Sequence, residues 1–113
     1  MNIQDSRSTF HVVTVSPRER IDVMNAPELR GRLNEYIDAG DNNLVIDLSC
    51  VPFLDSAGMA VLVNALKRAR LADGDVKLVW PQTEAARRVL HLTKFDRIFD
   101  MASNADDAAK MFR

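Results

Sequence analysis

The segment from Leu44 to Arg70, LVIDLSCVPFLDSAGMAVLVNALKRAR, constrains the fold more than any other part of the chain. Leu44 to Leu48 is apolar apart from Asp47 and does not alternate with polar residues, so it predicts a central strand covered on both faces. A short loop from Cys50 to Leu54 leads to Asp55-Ser56-Ala57-Gly58, where a helical pattern opens. Met59, Leu62, Val63, Leu66 and Ala69 then fall on one stripe. Lys67, Arg68 and Arg70 lie near the far end, where positive charge complements the helix dipole, and Asp73-Gly74 closes the helix.

The flanking segments extend the same alternation. Residues 1–8 are polar and aperiodic and predict a loose tail, which leaves 9–113 as the folded domain. Phe10 to Val15 is rich in β-branched residues and predicts a strand ending near Ser16-Pro17. A second short strand at Glu19 to Ile21 would pair with it as an N-terminal hairpin. Asn25, Pro27 and Glu28 have the composition of a helix start, with Asn25 as cap and Glu28 in capping-box position, so a helix is predicted over Ala26 to Ala39, stopped by Gly40. Val76 to Trp80 reads as a strand, and Thr83 caps a helix from Glu84 to about Leu92 with Ala86, Val89 and Leu90 inward. Phe95, Ile98 and Phe99 suggest a short edge strand or apolar turn. Ser103, with Asp106 three residues on, would start a last helix packed through Ala105, Ala108, Ala109 and Phe112.

From residue 25 onward strands and helices alternate, which predicts an α/β fold: a mixed sheet of four to five strands with a parallel core, packed with about four helices. The 113 residues suffice for one core. With 15 basic against 16 acidic residues the chain lacks the broad basic field that phosphate backbones require, so no nucleic-acid partner is expected. The single cysteine, Cys50, excludes an intramolecular disulfide and fits a reducing cytoplasm. No segment reads as a secretory signal or a membrane span, so no direct membrane contact is expected.

Chemistry is expected where a central strand hands over to a helix, the usual ligand position in open α/β sheets. Two readings of Asp55-Ser56 stay open. Either residue can simply cap the helix. Alternatively Ser56 is a switch, since phosphorylation there would add charge at a helix N-terminus that tolerates it while changing the surface met by a partner. Gly58 indicates either a close approach by a partner or a tight contact between helix and sheet, because glycine inside a helix costs about 1 kcal/mol relative to alanine. Asp22 and Asn25 follow the second predicted strand and could share the rim with Ser56, or serve only as turn residue and cap. No catalytic residue, metal site or cofactor is predicted: Ser56 lacks a G-x-S-x-G elbow, and His11, placed in the first strand, and His91 have no triad context. Cys50, Met59 and Trp80 read as core or strand-end packing.

Three blocks, IDVMNAPELR at Ile21 to Arg30, LVIDLSCVPFLDSAGMAVLV at Leu44 to Val63, and VKLVWPQTEAARRVLHLTKFDRIF at Val76 to Phe99, resemble the anti-sigma factor antagonists, stand-alone bacterial members of the STAS domain family. The resemblance covers about Phe10 to Phe112. It implies a STAS-like mixed sheet and phosphorylation of Ser56 by a histidine-kinase-like ATPase that is both anti-sigma factor and serine kinase. It implies reversal by a metal-dependent serine phosphatase, with the unphosphorylated form binding the kinase and releasing a sigma factor. Asp22, Asn25, Asp55, Ser56, Ala57, Gly58 and Met59 would form the partner-binding surface. The chain departs from the pattern at Pro17 to Arg20, where many relatives carry a glycine, and at Ala57, where a second hydroxyl residue is common. The run DSAGMAVLV also resembles STAS subunits of lipid-transport ABC systems, which implies an alternative function: docking on a transporter ATPase without a phosphorylation cycle.

Overall fold

The computed structural model describes residues 1–8 and 11–112. Its order is β1 (Ile3–Arg7), β2 (Val13–Pro17), α1 (Ala26–Asp38), β3 (Asn43–Asp47), α2 (Ser56–Leu71), β4 (Asp75–Val79), α3 (Glu84–Leu92), α4 (Phe95–Ile98), β5 (Asp100–Ala102) and α5 (Ala105–Lys110). The strands form one sheet in the order β1-β2-β3-β4-β5, with β1 antiparallel to β2 and every later pair parallel.

Alternate residues of β3 point to opposite faces, and both faces are covered. Leu44 and Ile46 join Val13, Val15, Val76 and Leu78 beneath α1 and α2, which supply Leu29, Leu33, Leu62 and Leu66. Val45 points the other way and packs with Val12, Val79, Ala102, Ala108 and Ala109, so α5 covers the second face. The small alanines let that short helix sit close to the sheet.

Five sequence expectations require correction. The N-terminal hairpin exists, but it is made by β1 and β2. The segment expected as a loose tail pairs from Ile3↔Pro17 to Arg7↔Val13, and side chains tether it to α1 and the turn after it. Arg32 and Tyr36 both donate to Asp5, at 2.5 and 2.6 Å, and Arg7 donates to Asp41. Glu19 to Ile21 is accordingly no hairpin strand; only Ile21 makes a bridge, to Leu54. The strand predicted from Phe10 begins at Val13: His11 precedes it with a left-handed φ of 58°, and Phe10 lies outside the described residues. The last helix is capped one residue later than expected, because Asn104 rather than Ser103 accepts from the amide of Asp107 at 2.8 Å. Phe95 and Ile98 form the short α4, leaving only Asp100–Ala102 as the edge strand.

Candidate functional site

Three loops leave the carboxyl ends of β2, β3 and β4 and are sewn together beside Ser56. The Ile21 amide donates to the Phe53 carbonyl at 3.1 Å and the Asp55 amide to the Ile21 carbonyl at 3.2 Å, which flank the parallel bridge between Ile21 and Leu54. Thr83, the cap of α3, donates its hydroxyl to the Pro52 carbonyl at 2.7 Å and so ties the third loop to the same place.

The loop over residues 20–25 is built on its own short side chains, as Asp and Asn commonly do in turns. Asp22 accepts from the amide of Met24 at 3.0 Å, and Asn25 returns the contact by accepting from the Asp22 amide at 2.8 Å. The Asn25 amide group also donates to the Arg20 carbonyl at 2.7 Å. Asn25 is therefore committed to the loop and makes no side-chain cap on α1, which corrects the capping-box expectation; the Ala26 amide is met instead by the Asp22 carbonyl, at 2.8 Å. These bonds hold Val23 and Met24 at the tip, 67% and 86% exposed.

Asp55 joins that loop to α2. One carboxylate oxygen accepts from the Gly58 amide as a helix cap, and the other accepts from the Val23 amide, both at 3.0 Å. The Gly58 amide holds the Asp55 carboxyl below its ordinary range, helped by the Val23 and Ala57 amides and the Arg20 charge and opposed by partial burial. Asp55 is thus a cap, as one reading of the sequence had it, and also the clamp between two loops.

With capping assigned to Asp55, Ser56 is left as the first residue of α2, exposed, with no hydrogen-bond partner for its hydroxyl among the described residues. Of the two histidines, His11 precedes β2, and His91 lies on α3, 3.0 Å from Asp96. Ala57 is half-buried. Gly58 is buried against the bridge, where an added Cβ would stand 3.0 Å from both Cγ2 and the carbonyl oxygen of Ile21 and 3.1 Å from the Leu54 Cβ. Of the two readings of that glycine, the tight internal contact is the one seen.

The structure thus brings Asp22, Asn25, Asp55, Ser56 and Gly58 together, with Ala57 and Met59 in the first turn of α2. Three residues expected as packing are less buried than the sequence suggests. Met59 and Val63 are only half-buried, because the inward face of α2 is made by Gly58, Val61, Leu62, Ala65, Leu66 and Ala69. Cys50 is exposed, not packed at the strand end. Sequence reasoning missed Val23, Met24 and Phe53, the apolar residues exposed around Ser56. The signal available was Val23-Met24 itself, two large apolar residues inside a loop bracketed by Asp22 and Asn25.

A family model described as the STAS domain matches residues 4–108. The chain belongs to the STAS domain family. A STAS relative from Bacillus subtilis strain 168, the anti-sigma-B factor antagonist, is 30% identical over 107 residues, 94% of this chain and 96% of that protein. The solved structure of TM1081 from Thermotoga maritima superposes with a TM-score of 0.90 at 29% identity, covering 98% of this chain and 94% of that one. The Bacillus cell fate determinant SpoIIAA shares the STAS fold in its phosphorylated form, with a TM-score of 0.76 and 17% identity over 99% of this chain and 100% of that one. Its unphosphorylated form does so with 0.74 and 15% over 96% and 94%. No helix among the described residues is long and apolar enough to cross a membrane.

Proposed function

We propose that this STAS protein is a cytoplasmic anti-sigma factor antagonist whose Ser56 carries the switch. In the unphosphorylated state the rim formed by Asp22, Asn25, Asp55 and the first turn of α2 binds an anti-sigma factor that is also a serine kinase, and the sigma factor is released. The kinase transfers the γ-phosphoryl group of ATP to the Ser56 hydroxyl, whose proton leaves to a base of the kinase. A metal-dependent phosphatase hydrolyses the ester and restores binding.

The observation that carries this reading is the placement of Ser56: an exposed hydroxyl without a partner among the described residues, at the first position of a sixteen-residue helix, beside a cap that does not need it. A phosphate there adds about −1.5 to −2 charges at the positive end of the α2 dipole, so the fold survives while the surface changes. Val23, Met24 and Phe53 supply exposed apolar area for a partner that encloses the serine. The family membership and the named Bacillus subtilis relative support the same reading.

The test is incubation with ATP and the candidate kinase, followed by intact mass and peptide mapping, with Ser56→Ala alongside. One phosphate on the wild type and none on the variant is expected. Phosphate gained equally by both would place the modification elsewhere and remove Ser56 from the account.

A further inference from the structure

Helix α2 has more apolar surface than the core takes up. Besides its buried face it carries Met59 and Val63, half-buried and open to solvent on one side. With Ser56 and Lys67 they stand at helical spacing on one stripe, which runs about 16 Å along the axis at 1.5 Å per residue. This stripe lines an open groove of about 580 Å³ to which Arg30 of α1 and Phe95 of α4 also contribute. The groove starts at Ser56 and ends at Lys67.

Its charge is one-sided. No carboxylate lines it, and its two cations, Arg30 and Lys67, have no ion pair or hydrogen bond among the described residues. Elsewhere Arg7, Arg20, Arg32, Arg68, Arg70 and Lys77 are paired with aspartates of this chain, whereas Arg88, Lys94, Arg97 and Lys110, outside the groove, also have no ion pair among the described residues. An apolar trough long enough for about three helical turns, with unpaired positive charge along it, is complementary to an amphipathic helix bearing carboxylates.

We infer that this groove receives an acidic amphipathic helix of the anti-sigma factor, with apolar side chains over Met59 and Val63 and carboxylates meeting Arg30 and Lys67. The inference rests on the function proposed above and extends it from the serine to the surface the partner occupies. It also gives the switch a physical cause. A phosphate on Ser56 stands at the mouth of the groove, where it repels the carboxylates at the near end of the incoming helix.

The experiment measures, by calorimetry, the affinity of the anti-sigma factor purified by co-expression with the wild-type chain for four proteins: wild type, Val63→Lys, Lys67→Glu and Ser56→Asp. Both groove positions reach solvent, so the variants are expected to melt with the wild type, checked by circular dichroism. Val63→Lys should bind about 30-fold or more weakly, and Lys67→Glu about tenfold more weakly, since one puts a charge on the apolar floor and the other reverses a rim charge. Replacing a carboxylate of the docked helix by lysine should recover the Lys67→Glu loss. Wild-type affinity in both groove variants would overturn the inference. If Ser56→Asp alone weakens binding, the switch stands and the groove does not; if only the groove variants weaken it, the groove stands and the switch does not. Self-association of the wild type that Val63→Lys abolishes, with partner binding unchanged, would assign the groove to a second copy of the chain and overturn the inference.

Discussion

Replacing Gly58 by alanine tests how closely the Ser56 rim is assembled. The new Cβ would lie 3.0 Å from Cγ2 and from the carbonyl oxygen of Ile21 and 3.1 Å from the Leu54 Cβ, against ordinary contacts of 3.4–4 Å. Neither neighbour yields easily. Ile21 and Leu54 are fully buried, and their backbones are joined by the parallel bridge with hydrogen bonds of 3.1 and 3.2 Å on either side. Alanine gains about 1 kcal/mol of helix propensity over glycine, while overpacking costs about 1–3 kcal/mol, so a net loss of about 1 kcal/mol is expected. Gly31→Ala supplies the reference. It lies inside α1, exposed, with nothing within 4 Å of the added atom, and should stabilise by about 1 kcal/mol. Subtracting the two removes the propensity term and isolates the clash at roughly 2 kcal/mol, well resolved by paired urea unfolding curves at equal m-value. Equal stabilisation by both substitutions would refute the claim that the loop and the helix meet without slack.

Two further predictions concern charge. Asp55→Ala should free the Val23 amide and the first turn of α2 together, seen as faster hydrogen exchange at Val23 and Gly58 with β3 unaffected. Because the folded carboxyl titrates below its ordinary value, the Asp55 contribution is fully present above the unfolded pKa. It is lost as pH falls through the folded one, so an acid titration of wild type and variant should converge only at the low end. Lys77 is 7% exposed, donates to Asp100 at 2.8 Å and Asp75 at 3.2 Å, and lies 4.7 Å from the Phe112 ring. Burial alone would lower its pKa, but the two carboxylates outweigh that and raise it. Its contribution is therefore complete below the unfolded pKa and lost only as pH rises through the folded one. Lys77→Met should cost about 1–2 kcal/mol, because the half-exposed aspartates return to water, and should loosen α5 first in hydrogen exchange. Equal protection of α5 in both proteins would contradict that role.

The parts legible in the sequence are those where local pattern and tertiary context agree. The unalternating Leu44 to Leu48 marked the central strand because both its faces are covered, and Thr83 marked the start of α3 because its hydroxyl caps that helix. The strand β1 was not legible. IQDSR has little strand propensity, and what fixes it is distant: the ladder to β2 and the ties from Asp5 and Arg7 to α1 and the turn beyond it. Asn25 illustrates competition between local motifs, since one side chain cannot cap α1 and bind the Asp22 amide at once. In α2 the periodicity was plain, but apolar residues on two faces left its orientation undetermined. Only the position of the sheet and α1 shows that Met59 and Val63 are left half-buried at the edge of the inward face. The Ser56 neighbourhood was legible as a cluster, whereas the division of labour within it, Asp55 capping and clamping while Ser56 makes no bond among the described residues, depends on the loop over residues 20–25 folding back onto α2.

The most direct test of the account is the affinity of the purified anti-sigma factor for this chain before and after stoichiometric phosphorylation of Ser56, with thermal melting of both forms recorded alongside. The added charge should weaken binding by about 2 kcal/mol or more, roughly 30-fold at least, while the melting temperature is unchanged or raised. Equal affinity of the two forms, or loss of binding only because the phosphorylated chain unfolds, would contradict it.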